Sequence, residues 1–180
     1  IKLLNGPNDI SKMVSLISKI LKYSITIEKN YTKSLKDEIE HTIYYLDLQR
    51  IRFPDKFIVK WNIDSELDSL MVPRLMFQPL LENCLTYGFR EDGSLLQITI
   101  SIEKRNGIVY ITIKDNGPGM KNSFRGFLPA PIGNKITSDH IGLENVRKRL
   151  HLLFKGQVKT FLDTSHTGTV IRYEITIGDN

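Results

Sequence analysis

The sequence predicts an α+β fold: a two-layer α/β sandwich with one mixed sheet and helices on one face, preceded by a helical pair. Three observations predict it. Alternating apolar runs, the mark of strands, stand at 57–63, 98–102, 109–113 and 169–177. Runs with apolar residues three and four apart, the mark of amphipathic helices, lie before and between them. Strands that alternate in this way bury one face, so helices need cover that face only.

The elements follow in order. Asn5-Gly6-Pro7-Asn8 is a turn-rich opening, and Asp9 is placed to cap a helix over 9–27. Ile10, Met13, Val14, Ile17, Leu21 and Ser24 recur there at helical spacing. Ser34 and Asp37 have capping-box spacing before a second helix striped by Leu35, Ile39, Ile43 and Leu46 and closed by Phe53-Pro54. The two helices are expected to pair antiparallel as a segment over 1–54, with a second unit over 55–180. After the strand at 57–63, Pro73 suits the first turn of a third helix running through Met76, Leu80, Leu81 and Cys84 to Gly88. Pro79 inside that helix predicts a kink. Asn106-Gly107 is a hairpin signal between two strands. Residues 116–139 hold glycines and prolines without lasting periodicity and are expected to form a mobile loop. Ser138 or Asp139 then caps a fourth helix with Leu143, Val146, Leu150 and Leu153 on one face. Two last strands, 157–162 and 169–177, are split by a turn ending in Gly168.

Composition narrows the function. The formal charge of +5 is spread along the chain with no long basic run, which argues against nucleic acid as a partner. An anionic nucleotide accounts for the same excess. The single cysteine, Cys84, can form no internal disulfide and no metal cluster, so a reducing compartment is expected. The chain has no stretch of eighteen apolar residues. His41, His140, His151 and His166 are too scattered for a familiar metal spacing.

The sharpest local feature is Asp115-Asn116-Gly117-Pro118-Gly119-Met120. Asp115 shares strand parity with Val109, Ile111 and Ile113, so its carboxylate should border the core and want a donor, such as a purine amine. A surface turn would carry the same residues. Asn83, next to Glu82 on the third helix, suits magnesium through its amide oxygen, or is a plain helix-surface or core polar residue. Tyr87, one turn on, either covers a nucleotide or packs in the core. Gly142-Leu143 at the start of the fourth helix leaves free N–H groups for phosphate, or marks an ordinary helix start. Thr167-Gly168-Thr169 suits a hairpin and places a hydroxyl at a strand start. Lys121, Arg125 and Lys135 could each reach a phosphate, and of Arg147 and Arg149 at most one should face a ligand.

In order along the chain, these boxes resemble the Bergerat-type ATP-binding fold of histidine kinases, type II topoisomerases, the ninety-kilodalton heat-shock chaperone and mismatch-repair ATPases. The sequence is most similar to LytS/YesM-type bacterial sensor histidine kinases. Leu46-Asp-Leu-Gln-Arg-Ile-Arg-Phe53, Pro73-Arg-Leu-Met-Phe-Gln-Pro-Leu-Leu-Glu-Asn83 and Ile141-Gly-Leu-Glu-Asn-Val-Arg-Lys-Arg-Leu150 carry the resemblance, together with Leu21-Lys-Tyr-Ser24. It implies ATP and Mg2+ as cofactors. Asn83 would hold the metal, and Glu82 would orient or polarise near the γ-phosphate. Asp115 would accept from the adenine amine, with Thr169 supporting it through water. Gly117, Gly119 and Met120 would shape the base pocket and lid hinge, Tyr87 would line it, and Gly142-Leu143 would meet the phosphates. Residues 120–140 would be the lid.

The resemblance also implies transfer of a phosphoryl group to a histidine on an upstream dimerisation helix, then to a response regulator. The full-length protein would be a homodimer with this part in the cytoplasm, attached to a membrane sensor. The phosphoacceptor box is expected upstream of Ile1. Tyr87 stands where the family usually has histidine, and His140 where a glycine usually opens the second box. Pro79 stands where ATP-hydrolysing relatives place a water-activating glutamate, which favours transfer over hydrolysis. The alternatives are a nucleotide-binding regulatory module with weak or no kinase activity, and a protein-interaction domain with a vestigial pocket.

Overall fold

The computed structural model describes residues 7–25, 31–119, 123–130 and 141–177. The elements are α1 (Pro7–Ile25), β1 (Thr32–Ser34), α2 (Leu35–Arg52), β2 (Phe57–Ile63), a 3-10 turn (Ser65–Leu67), β3 (Met71–Pro73), α3 (Gln78–Tyr87), β4 (Leu96–Arg105), β5 (Ile108–Asp115), β6 (Phe124–Leu128), α4 (Ile141–Leu153), β7 (Val158–Ser165) and β8 (Gly168–Thr176). Asn106 and Gly107 take φ of 50° and 72°, the left-handed pair that a two-residue hairpin turn needs between β4 and β5.

The main sheet has the order β2-β4-β5-β8-β7-β6. β2 runs parallel to β4 and the other neighbours are antiparallel, so the sheet is mixed as expected. One face carries Ile98, Ile100, Ile102, Val109, Ile111, Ile113, Ile171, Tyr173 and Ile175, all buried. The alternate positions Thr99, Ser101, Tyr110 and Thr112 are half-exposed, and Lys114 is exposed. Each buried isoleucine contributes about 1.5–3 kcal/mol, so register is fixed by this stripe. Leu80, Leu81 and Leu85 of α3 and Leu143, Val146 and Leu150 of α4 share that core. So do Leu35, Tyr45 and Leu46 of α2, so the packing continues across positions 54 and 55.

Ser34 caps α2, its Oγ accepting from the Asp37 N–H at 3.1 Å. α1 and α2 pair antiparallel: Tyr23 meets Glu38 and His41, while Lys19 lies over the Tyr44 ring. On α1 the sequence stripe reads differently from its burial. Ile10, Val14, Ile17 and Leu21 are exposed, and Leu16 and Ile20 pack inward instead. The helix carries two apolar faces, and periodicity alone could not say which one the rest of the chain covers.

Three further expectations are corrected. Pro73 does not start a helix. It ends β3, which pairs with β1 in a small two-stranded sheet. Leu75 then takes φ of 54°, which no right-handed helix tolerates, and α3 begins only at Gln78. Pro79 therefore lies in the first helical turn, where its missing N–H costs nothing, and no kink is called for. The segment expected as a loop over 116–139 contains β6, paired to β7 from Phe124 opposite Thr164 to Leu128 opposite Thr160. The proposed caps Ser138 and Asp139 lie outside the described residues.

Candidate functional site

Asp115 is the last residue of β5, and its parity with three core residues leaves it only 8% exposed. A surface turn is thereby excluded. Oδ1 accepts the Gly117 N–H at 2.8 Å and the Thr169 N–H at 3.3 Å. Among the described residues, Oδ2 has only the Cys84 thiol, at 3.7 Å. Burial pushes the carboxyl pKa above its ordinary range, and these donors offset that push only in part. Oδ1 thus takes two donors from the fold, and Oδ2 is an acceptor whose one partner among the described residues is a weak donor.

The surroundings come from separate segments brought close together. Thr169 stands opposite Asp115 in the β5–β8 ladder, and its hydroxyl lies 3.3 Å from that of Thr164. Gly117 packs on Gly88 at the end of α3: a Cβ on Gly117 would lie 2.7 Å from the Gly88 Cα. Gly119 takes φ of 71°, and a Cβ there would be 1.9 Å from the Ser165 carbonyl oxygen. Any side chain at either position would push the loop after β5 off its neighbours.

α3 connects this pocket to a second cluster. Cys84, one residue beyond Asn83, touches Asp115. Pro79, one turn before Asn83, lies against the start of α4, where a Cβ on Gly142 would be 3.0 Å from the Pro79 Cβ. Five residues of helix separate these contacts, about 7.5 Å along the axis. Asn83 lies between them, half-buried, and its amide makes no hydrogen bond among the described residues. An uncommitted amide oxygen is a hard donor that fits magnesium, whose remaining positions go to water and phosphate. Tyr87, on the same side one turn on, is 66% exposed and does not pack in the core. Leu143 is buried in the core, so only its backbone is available at the start of α4.

Glu82 is not brought to this cluster. It is exposed, accepts the Gln78 side-chain amide at 2.8 Å, and lines a cleft toward α2 with Tyr45, Gln49 and Arg52. Arg147 pairs with Glu144 at 2.5 Å and donates to the Pro129 carbonyl. Arg149 donates to the carbonyls of Arg74 (2.6 Å) and Leu75 (3.4 Å). Both guanidiniums are therefore engaged with protein acceptors. Arg125 is exposed on β6, 3.4 Å from the Asp163 carboxylate. Met120, Lys121, Lys135 and His140 lie outside the described residues.

Three residues that carry the site were not singled out by motif. In the sequence Cys84 is no more than part of an apolar run. Arg90 binds carbonyls of the loop after β5. Glu38, fully buried on α2, accepts the Leu75 and Met76 N–H groups at 2.9 and 2.7 Å and the Tyr23 hydroxyl at 2.6 Å. It serves as a cap, from another helix, for the turn leading into α3. In the sequence Glu38 stands within the charged run Lys36-Asp-Glu-Ile-Glu40, which reads as a solvated helix face, and its partners are distant along the chain.

Comparison with known proteins gives the family and the fold. A histidine kinase family profile matches residues 1–57. The profile of histidine kinase-, DNA gyrase B-, and HSP90-like ATPases matches residues 71–178. Sensor histidine kinase YesM of Bacillus subtilis is 33% identical over 83% of this chain, which spans 24% of that protein. Sensor protein LytS of Bacillus cereus is 29% identical over 78% of this chain and 24% of its own length. The chain therefore spans about a quarter of the curated relatives it matches. In fold it resembles the histidine kinase domain of the Erythrobacter litoralis EL346 blue-light activated histidine kinase. That similarity has a TM-score of 0.53 and 16% identity, covering 95% of this chain and 80% of that one.

Proposed function

Because the chain belongs to the histidine kinase-, DNA gyrase B-, and HSP90-like ATPase family, we propose that it binds MgATP as the catalytic part of a two-component sensor histidine kinase. The observation that carries this reading is α3. One ten-residue helix touches the buried Asp115 through Cys84 and the α4 start through Pro79, and the half-buried Asn83 stands between these contacts.

On this reading Asp115 Oδ2 accepts the adenine amine, and Thr169 supports the contact through water. Gly117, Gly119 and Met120 border the base, and Tyr87 closes over it. The backbone N–H groups at Gly142 and Leu143, in the first helical turn where no carbonyl of the same helix reaches them, hold phosphate oxygens. Asn83 holds magnesium, which when bound neutralises phosphate charge and orients the triphosphate. Glu82 faces the cleft toward α2, away from this cluster, and has no part in holding the nucleotide. Positioning and charge neutralisation supply most of the catalysis in phosphoryl transfer, so no water-activating base is needed where Pro79 stands. The γ-phosphoryl group passes to a histidine nitrogen upstream, ADP leaves, and an aspartate of a response regulator receives the group next.

The exposed Ile10, Val14, Ile17 and Leu21 on α1 support a homodimer in which two copies pack these stripes together. ATP and a response regulator as partners place this part in the cytoplasm, on a protein whose other segments sense at a membrane. Among the described residues, no helix is long and apolar enough to cross one.

Incubating a longer chain that includes the upstream histidine with γ-labelled ATP tests the function. Acid-labile, base-stable label on histidine is the expected result. Tight ATP binding without label would favour the regulatory-module reading instead. Asn83→Ala is expected to abolish the magnesium dependence of ATP binding, as read by calorimetry with and without the metal. Glu82→Gln should change it less. An unchanged magnesium dependence in Asn83→Ala would remove Asn83 from the site.

A further inference from the structure

Arg90 stands three residues beyond the end of α3, in no recognised motif. Its Nε donates to the Asn116 carbonyl at 2.9 Å, and its Nη2 donates to the carbonyls of Gly117 and His166 at 2.7 Å each. Those acceptors belong to two loops. One follows β5, and the other turns between β7 and β8. A single guanidinium fork therefore joins the two segments that frame Asp115.

The detail that matters is which peptide group Arg90 grips. The Asn116 carbonyl and the Gly117 N–H belong to one peptide unit, which is planar. The Gly117 N–H is the donor that holds Asp115 Oδ1 at 2.8 Å. Fixing the oxygen of that plane aims its N–H, and so fixes the carboxylate rotation that leaves Oδ2 for a ligand. Charge at the guanidinium also polarises the peptide and strengthens the bond to Oδ1. The His166 contact anchors the far side, on the turn that leads into Gly168 and Thr169, whose N–H is the second donor to Oδ1.

Resting on the nucleotide-site reading above, we propose that Arg90 is a positioning residue for base recognition, holding Asp115 in the orientation that selects a 6-amino purine over a 6-oxo purine. It touches no substrate. Lysine cannot replace it, because an ammonium is a point donor and cannot span three carbonyls in a fork.

The test measures dissociation constants of MgATP and MgITP for the chain and for its Arg90→Gln and Arg90→Lys variants, with thermal midpoints alongside. The unaltered chain is expected to prefer ATP. Arg90→Gln should weaken ATP about tenfold, the scale of a lost charge-assisted bond, and draw the ATP-to-ITP preference toward unity. Arg90→Lys should recover only part of the preference. If Arg90→Gln does not fold, the Arg90→Lys ratio decides. Lower thermal midpoints with an unchanged ATP-to-ITP ratio would mean that Arg90 only braces the fold, and would overturn the proposal. Failure of the unaltered chain to bind ATP would instead remove the nucleotide site itself, and this inference with it.

Discussion

Asp115→Asn is expected to weaken ATP binding about a hundredfold or more while stabilising the nucleotide-free protein at neutral pH. The two effects share one cause. In the variant the amide oxygen can keep the Gly117 and Thr169 N–H groups now held by Oδ1. The amide nitrogen then takes the place of Oδ2, beside the Cys84 sulfur. A donor replaces an acceptor, so the adenine amine meets another donor, whereas the 6-oxo group of ITP meets a partner. ATP affinity should collapse and ITP affinity should hold or rise, which calorimetry reads directly. Equal losses for both nucleotides would contradict the assigned contact.

The stability half follows from proton linkage. Burial raises the Asp115 pKa in the folded protein above its unfolded value. Such a group favours the folded state fully below the unfolded pKa, and that contribution is lost as pH rises through the folded pKa. At neutral pH the native protein carries the cost of a buried carboxylate, and asparagine removes it. The variant's advantage should grow from the ordinary carboxylate range up to the raised pKa and then stay flat. Urea midpoints across that range check the sign.

Glu38→Ala is expected to cost about 3–5 kcal/mol, the scale for breaking a buried charged hydrogen-bond set from one side. For a chain of this size that corresponds to a fall in the thermal midpoint of roughly 6–20 °C. Removing the carboxylate leaves the Leu75 and Met76 N–H groups and the Tyr23 hydroxyl without an acceptor inside the protein. Glu38→Gln keeps the shape but puts a donor against donors, so an intermediate loss is expected. Tyr23→Phe, which deletes one bond and leaves the two backbone bonds intact, should cost about 1 kcal/mol. A Glu38→Ala midpoint within a degree or two of the original would mean the turn into α3 does not depend on this cap.

The sheet was legible because its strands obey period two and its β4–β5 hairpin carries Asn-Gly, both local signals. Asp115 was legible for the same reason, since parity with Val109, Ile111 and Ile113 dictates its side of the sheet. Features that depend on partners distant in sequence were not. β6 is interrupted by Gly126 and becomes a strand only because β7 offers it a ladder. The start of α3 was misplaced because Pro73 satisfies a helix N-terminus as well as a strand end, and only the left-handed Leu75 decides between them. Arg90 and Glu38 act on backbone groups of remote segments, and a backbone partner leaves no mark on the residue types that meet it. Asn83 and Glu82 are adjacent in sequence, yet successive helical residues point about 100° apart, so adjacency did not make them neighbours at one site.

Tyr23 lies near one end of a nineteen-residue helix whose other end is at Pro7. Leu16 and Ile20 of the same helix pack inward and Lys19 lies over the Tyr44 ring, so α1 is seated on α2 well beyond its last turn. Its Tyr23 hydroxyl ends on the same carboxylate that accepts the Leu75 and Met76 N–H groups. One buried acid is therefore the common knot of α1, α2 and the turn that seats the Asn83 helix.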